Sequence, residues 1–222
     1  MSDTNKIRLR FSKRGTLAFI GHLDFLRVFQ QTIRRAALPA AFSQGFNPHL
    51  LISFALPLPL GMESARDYVD LTLAEDVPCA EIVGRINAAA PKGLEVRDAY
   101  VAENKAASVV SAADYIVRGA DFCAVSGKTI LQSKEIIVAK KTKKGIKDTD
   151  IRADILGLEM RDDGVFMRLS AGSARFLNPL IVAELLLGEK PCTSAITRLE
   201  LYREGESGEP GADKKSPPLV TL

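Results

Sequence analysis

The feature that most restricts the fold is a change of hydrophobic period along the first hundred residues. Residues 6–11, KIRLRF, alternate Ile7, Leu9 and Phe11 with Lys6, Arg8 and Arg10. That period of two predicts a strand with a basic outer face. From His22 to Ala37 the apolar residues Leu26, Phe29, Ile33 and Ala36 recur at helical spacing. Asp24 suits the positive end of that helix and Arg34 and Arg35 the negative end, and Leu38-Pro39 stops it. A strand at 50–55, a Pro-Leu-Pro-Leu-Gly corner and a second strand, DYVDLTL, come next. A helix between Pro78 and Pro91 and a strand in GLEVRDAYV complete the segment. The order β-α-β-β-α-β over residues 6–102 predicts a ferredoxin-like, split-βαβ half: an antiparallel sheet with both helices on one face.

The order nearly recurs after a stretch that reads as a linker, residues 103–112. ADYIVRG is a strand, DFCAVSGKTILQS a weak helix containing Gly127, and EIIVAKK a strand entering a lysine-rich turn. Further strands lie in DTDIRADI and LGLEMRDDGVFMRLS, the latter with a hairpin signal at Asp163-Gly164. NPLIVAELLLG is a helix with Asn178 as cap, Pro179 at its first position and Gly188 at its end, and AITRLELYRE is a closing strand. The predicted class is α+β: two tandem ferredoxin-like halves, residues 1–102 and 113–203, with antiparallel sheets, the second half less regular. Residues 204–222 have the composition of a disordered tail.

Charge is concentrated rather than abundant. The net charge is +3, yet residues 1–50 hold Lys6, Arg8, Arg10, Lys13, Arg14, Arg27, Arg34 and Arg35 against only Asp3 and Asp24. KKTKKGIK, residues 140–147, adds Lys140, Lys141, Lys143, Lys144 and Lys147. Such clustering is the electrostatic footprint of a polyanion partner. The N-terminus has no apolar signal region, and the apolar run near 50–61 is too short for a bilayer and broken by Pro57 and Pro59. A cytoplasmic protein with no membrane partner is expected. Cys79, Cys123 and Cys192 form no CxxC pattern, and with two histidines in the chain no metal site is expected.

The candidate site is SQGFNPH, residues 43–49, a glycine-containing polar loop that runs straight into an apolar strand. Gln44 and Asn47 could hydrogen-bond base edges, His49 could meet a phosphate, and Phe46 could stack on a base. Phe46 could equally plug the core, and the expectation is Asn47 and His49 exposed with Phe46 at least partly buried beneath them. His22, just before a helix, either caps that helix or serves the site. His49 and His22 are the candidates for acid–base catalysis, and no catalytic residue is assigned. Arg10, Arg27, Arg34, Arg35 and Arg152 join the lysines as expected phosphate contacts.

LRFSKRGTLAFIGHLD, SQGFNPHLLISFALPLPLGMES and KKTKKGIKDTDIR resemble the bacterial radical-SAM-linked proteins, a domain of unknown function fused to, or encoded beside, radical-SAM proteins. The resemblance runs to about residue 203. It implies a radical-SAM protein as partner, with SAM and an iron–sulfur cluster carried by that partner. This chain has no CxxxCxxC and is expected to hold no cofactor itself. Three functions follow as expectations. The first is an RNA-binding accessory module presenting tRNA or rRNA to the radical-SAM partner. The second is a metal-independent RNA endonuclease using His49 or His22, and the third a structural subunit meeting an acidic protein.

Overall fold

The computed structural model describes residues 5–102, 105–118, 130, 132–142, 145–173, 175–188 and 191–203, with the backbone alone at 106–107, 140–142 and 146. The protein is of mixed α/β class, and the chain divides into two compact units, Met1–Val110 and Ser111–Leu222. In the first, the elements are β1 (Asn5–Lys13), α1 (His22–Arg35), β2 (Ile52–Phe54), β3 (Glu63–Leu73), α2 (Cys79–Ala89), β4 (Leu94–Val101) and a single turn, α3 (Ala106–Val109). The strands lie in the order β4-β1-β3, with β2 also on β3, and each of these pairs is antiparallel.

Alternation on β1 and β3 builds one core. Ile7, Leu9 and Phe11 share a sheet face with Val69, Leu71 and Leu73, and Phe25, Phe29 and Ile33 of α1 and Ile82 and Ile86 of α2 pack on that face. Phe11 lies 5.1 Å from Phe29 and 5.8 Å from both Phe25 and Phe54, ring centre to ring centre. These are tilted and edge-on contacts of the kind aromatic rings prefer. The i, i+4 spacing of Phe25, Phe29 and Ile33 is what makes residues 22–35 a helix with one apolar stripe. That helix stops at Arg35, short of the expected Ala37, because Ala37 turns into the left-handed region at φ 50°. Arg85 of α2 donates to the carbonyls of Ala36 (2.9 Å) and Ala37, which the helix end leaves open.

The outer face of β1 is not the basic solvent surface that its alternation suggested. Arg8 is 2% exposed. It stands directly opposite Asp70 in the β1–β3 register, and its Nε and Nη2 donate to the two carboxylate oxygens at 2.7 and 3.2 Å. Arg10 is half-buried and paired with Asp98. Alternation also continues to Lys13 on the core side. There the ammonium is buried, donates to the Ile20 carbonyl at 3.2 Å and lies 4.8 Å from the centre of the Phe25 ring.

In the second unit, β5 (Val110–Val117), β8 (Ile155–Arg161), β9 (Gly164–Ser170) and β10 (Ile196–Arg203) form the order β10-β5-β9-β8. A separate ribbon pairs β6 (Ile137–Thr142) with β7 (Gly145–Asp150). Gly164 opens β9 at φ 147°, where a Cβ would fall 2.1 Å from the Val117 carbonyl oxygen, so the Asp163-Gly164 signal marks a position closed to any side chain. Helix α4 (Pro179–Leu187) has the Asn178 carboxamide accepting from the Leu180 N–H at 3.0 Å and Gly188 at φ 73° behind it. Asp114 stands opposite Arg168 and accepts from its guanidinium at 2.7 and 2.9 Å, and the Tyr202 hydroxyl donates to the same carboxylate at 2.7 Å. Burial first, and Asp114 second, hold the Tyr202 hydroxyl far above its ordinary value.

Several sequence expectations fall partly beyond the described residues: most of the helix at 121–133, and the tail at 204–222. Of the segment read as a linker, residues 106–109 form α3 and Val110 already begins β5.

A buried ion pair is held at the cost of desolvating both charges, and removing one partner strands the other. Arg8→Met alone should therefore lower unfolding stability by about 3–5 kcal/mol in urea titration. Arg8→Met with Asp70→Leu should recover most of that loss.

Candidate nucleic-acid interface

The loop at 43–49 is a braced hairpin rather than a slack connection. Backbone bonds stitch its base to β3: Ala41 N–H to the Thr72 carbonyl (2.8 Å), Thr72 N–H to Leu51 (3.0 Å) and Leu51 N–H to Ala41 (2.9 Å). Phe42 and Leu50 then bridge antiparallel, and the Ser43 N–H donates to the His49 carbonyl at 2.8 Å. The Ser43 hydroxyl closes the neck, accepting from the His49 N–H at 3.1 Å and lying 2.8 Å from Nδ1 of the ring. The hydroxyl can donate to Nδ1 or accept from it, according to the ring's tautomer. Nε2 is the ring nitrogen left for another group.

Residues 44–49 are all exposed. Gly45 takes φ 124°, with nothing within 4 Å of where a Cβ would stand. Glycine is required there by backbone conformation and not by crowding. Phe46 contradicts the expectation of burial: its relative exposure is 111%. Leu50, the first apolar residue after the loop, is buried at 3% exposure, whereas residues 44–49 are exposed.

Arg34 and Arg35, both exposed, end α1 on the same side of the unit as this loop, because Ala40 bridges Leu73 only five residues after Arg35. The nearby connection from β3 to α2 contributes Glu75 and Asp76, the latter taken by the Asn5 carboxamide. His22 lies elsewhere. Its ring is 5.4 Å from that of Phe54, which pairs with Val69, and Lys13 pairs with Ser64. The 14 residues of α1 alone separate His22 from Arg35 by about 20 Å. His22 thus stands at the opposite end of α1 from Arg34 and Arg35.

Other expected contacts are occupied. Arg27 is exposed but bonded to Asp24 at 2.8 Å. Arg152 donates to the carbonyls of Ser133 and Ile155, each at 3.2 Å, and Asp150 accepts from the Ile136 and Arg152 N–H groups at 2.9 Å. Those two residues anchor the base of the β6–β7 ribbon, and the backbone bonds hold the Asp150 carboxyl below its ordinary range. In the ribbon, Lys140 stands directly opposite Lys147, and Lys147 is exposed. Lys143 and Lys144 lie outside the described residues, and Lys141 is described by its backbone alone. Sequence reasoning missed Ser43 as the partner of His49. The signal was present in the apolar Phe42 and Leu50 that bracket the polar segment, a hairpin closure read as a simple loop.

Residues 6–179 match the model of a family described as "uncharacterized protein conserved in bacteria (DUF2344)". The chain belongs to that family. No curated protein matches it. The DUF2344 match begins in β1 and ends at the first residue of α4, so it takes in the braced hairpin, the Lys13–His22 region and the ribbon. Among the described residues no group of three or more His, Cys, Asp or Glu is placed to hold a metal ion, Cys79 and Cys192 are unbridged, and no helix is long and apolar enough to cross a membrane.

Burial, and next the Lys13 ammonium, push the His22 imidazole below its ordinary value of 6.5. A folded state that binds this proton less readily than the unfolded chain loses stability as pH falls from 6.5 towards the depressed value, and keeps it above 6.5. An NMR titration of His22 should give a midpoint below 6.5, and Lys13→Met should move it upward without restoring it fully. His22→Gln should flatten the loss of stability across that window.

Proposed function

We propose that this protein is an RNA-binding accessory module of the cytoplasm, which presents tRNA or rRNA to a radical-SAM partner that brings the SAM and the iron–sulfur cluster. The observation that carries this reading is a convergence at one end of the first unit. Two exposed arginines, Arg34 and Arg35, end α1 where the braced hairpin offers Gln44, Phe46, Asn47 and His49 to solvent. Cations that track phosphates beside an aromatic and amide heads are the combination that single-stranded RNA recognition uses.

The ribbon supports the same reading. Its register sets Lys140 against Lys147, and by alternation Asp148 and Asp150 belong to the opposite face. Like charges directly opposite destabilise a strand pair, and a polyanion laid across them would remove that penalty. The architecture we propose is two tandem ferredoxin-like halves. Its supports are the β-α-β-β-α-β order and the β4-β1-β3 sheet, with β2 on β3, in the first half. In the second half they are the order β10-β5-β9-β8 with the ribbon inserted before β8. One observation favours a second reading, an RNA endonuclease: Ser43 orients the His49 ring as a general acid or base requires.

Binding of tRNA and rRNA fragments, followed by fluorescence anisotropy over a salt series, tests the proposal. Neutralising about five phosphates gives a log–log slope near −3.5 on single strands. Replacing Arg34, Arg35, Lys140 and Lys141 by Ala should make the slope shallower by about 2–3, at about 0.7 per contact. Asn47→Ala with His49→Ala should weaken binding at least tenfold while moving stability by less than about 0.5 kcal/mol, as surface substitutions do. A salt-insensitive or absent interaction would overturn the RNA reading, and RNA cleavage abolished by His49→Ala would select the endonuclease.

A further inference from the structure

We infer that the hairpin tip at 44–48 is a stacking platform for one unpaired nucleotide in the loop of a folded RNA, with Phe46 under the base. The inference rests on the RNA reading above and narrows it from RNA in general to a single exposed base. A lone exposed apolar residue on a protein surface is ordinary and needs no explanation. Phe46 differs in its setting. Its ring buries none of its surface against its own chain, and it is carried on a neck fixed by the Phe42–Leu50 bridge and the Ser43–His49 bonds. Its neighbour Gly45 adds no side chain beside it, and no other residue lies within 4 Å of where one would stand. Gln44 and Asn47 each bring an amide that both donates and accepts, which suits the mixed donor–acceptor edge of a base.

A duplex does not fit this platform. Its bases are stacked on each other, and the A-form grooves present edges, sugars and phosphates but no base face. Apart from its terminal pairs a duplex shows no π-face, whereas an unstacked loop base offers one to a ring standing alone on a hairpin tip. The exposed Arg34 and Arg35 at the same end of the unit then meet the phosphates that flank such a base. A protein pocket could also take a phenyl ring, but it would accept another apolar side chain of similar size, and stacking would not.

That difference sets the experiment. Anisotropy at fixed salt compares an RNA stem-loop with the blunt duplex of the same stem, for the full-length protein and for Phe46→Leu and Phe46→Tyr. The wild type should prefer the stem-loop at least tenfold, Phe46→Leu should lose that preference, and Phe46→Tyr should keep it, in line with the energy of base–aromatic stacking. Thermal stability should be equal in all three, because the ring supports nothing in the fold. Salt-dependent binding without stem-loop preference, or a preference that survives in Phe46→Leu, overturns the stacking platform and leaves the RNA reading standing. Absence of binding to either RNA overturns both. In that event, radical-SAM-protein capture kept in Phe46→Leu and lost in Phe46→Ala would reassign the tip to a protein contact.

Discussion

Each unit is organised around an ion pair locked between adjacent antiparallel strands: Arg8 with Asp70, and Asp114 with Arg168. These groups are almost fully removed from water, so their partners cannot be exchanged for solvent. Slipping β1 by one residue against β3 would move Arg8 to the face that packs on α1 and α2, and would bring Leu9 out to the other face. The pair therefore fixes the register, the register fixes where β3 ends, and that end holds the base of the hairpin. Ala41 and Leu51 bond to Thr72, so the position of the candidate site follows from a salt bridge two residues away along β3.

The first unit was largely readable in the sequence. Strict alternation in KIRLRF and the helical spacing of Phe29 and Ile33 in α1, like the paired cap signals Asn178 and Gly188 of α4 in the second unit, each point to one local structure, and each forms it. Signals of this kind are local, and tertiary packing agrees with them. What alternation could not tell was which outward positions meet water. Arg8 and Lys6 read alike in the sequence, yet Arg8 is buried because Asp70 stands across from it, a partner 62 residues away. Lys13 was likewise taken for surface charge, although its place in the period already assigned it to the side of Phe11.

Phe46 shows the opposite failure. Aromatic side chains are core residues by habit, so a phenylalanine between a glycine and a proline was expected to fold inward. The chain buries Leu50, four residues on, and leaves Phe46 out. Nothing short of the hairpin's own closure, set by Phe42, Ser43 and His49, distinguishes these outcomes. The ribbon between Ile137 and Asp150 was visible as a strand and a lysine-rich turn, but its separateness from the larger sheet depends on pairing, which composition does not record.

The two ion pairs are written in opposite senses. In one unit the earlier strand carries the arginine and the later strand the aspartate; in the other the earlier strand carries the aspartate. Four strands carry these charges, two in each unit. Pairing β1 with β9 in the equivalent register would oppose Arg8 and Arg168, and pairing β5 with β3 would oppose Asp114 and Asp70. Both mismatches bury like charges without a counterion, which no packing gain of a few side chains offsets. With this swapped polarity, each charged strand finds an opposite charge on its own partner and a like charge on the corresponding strand of the other unit.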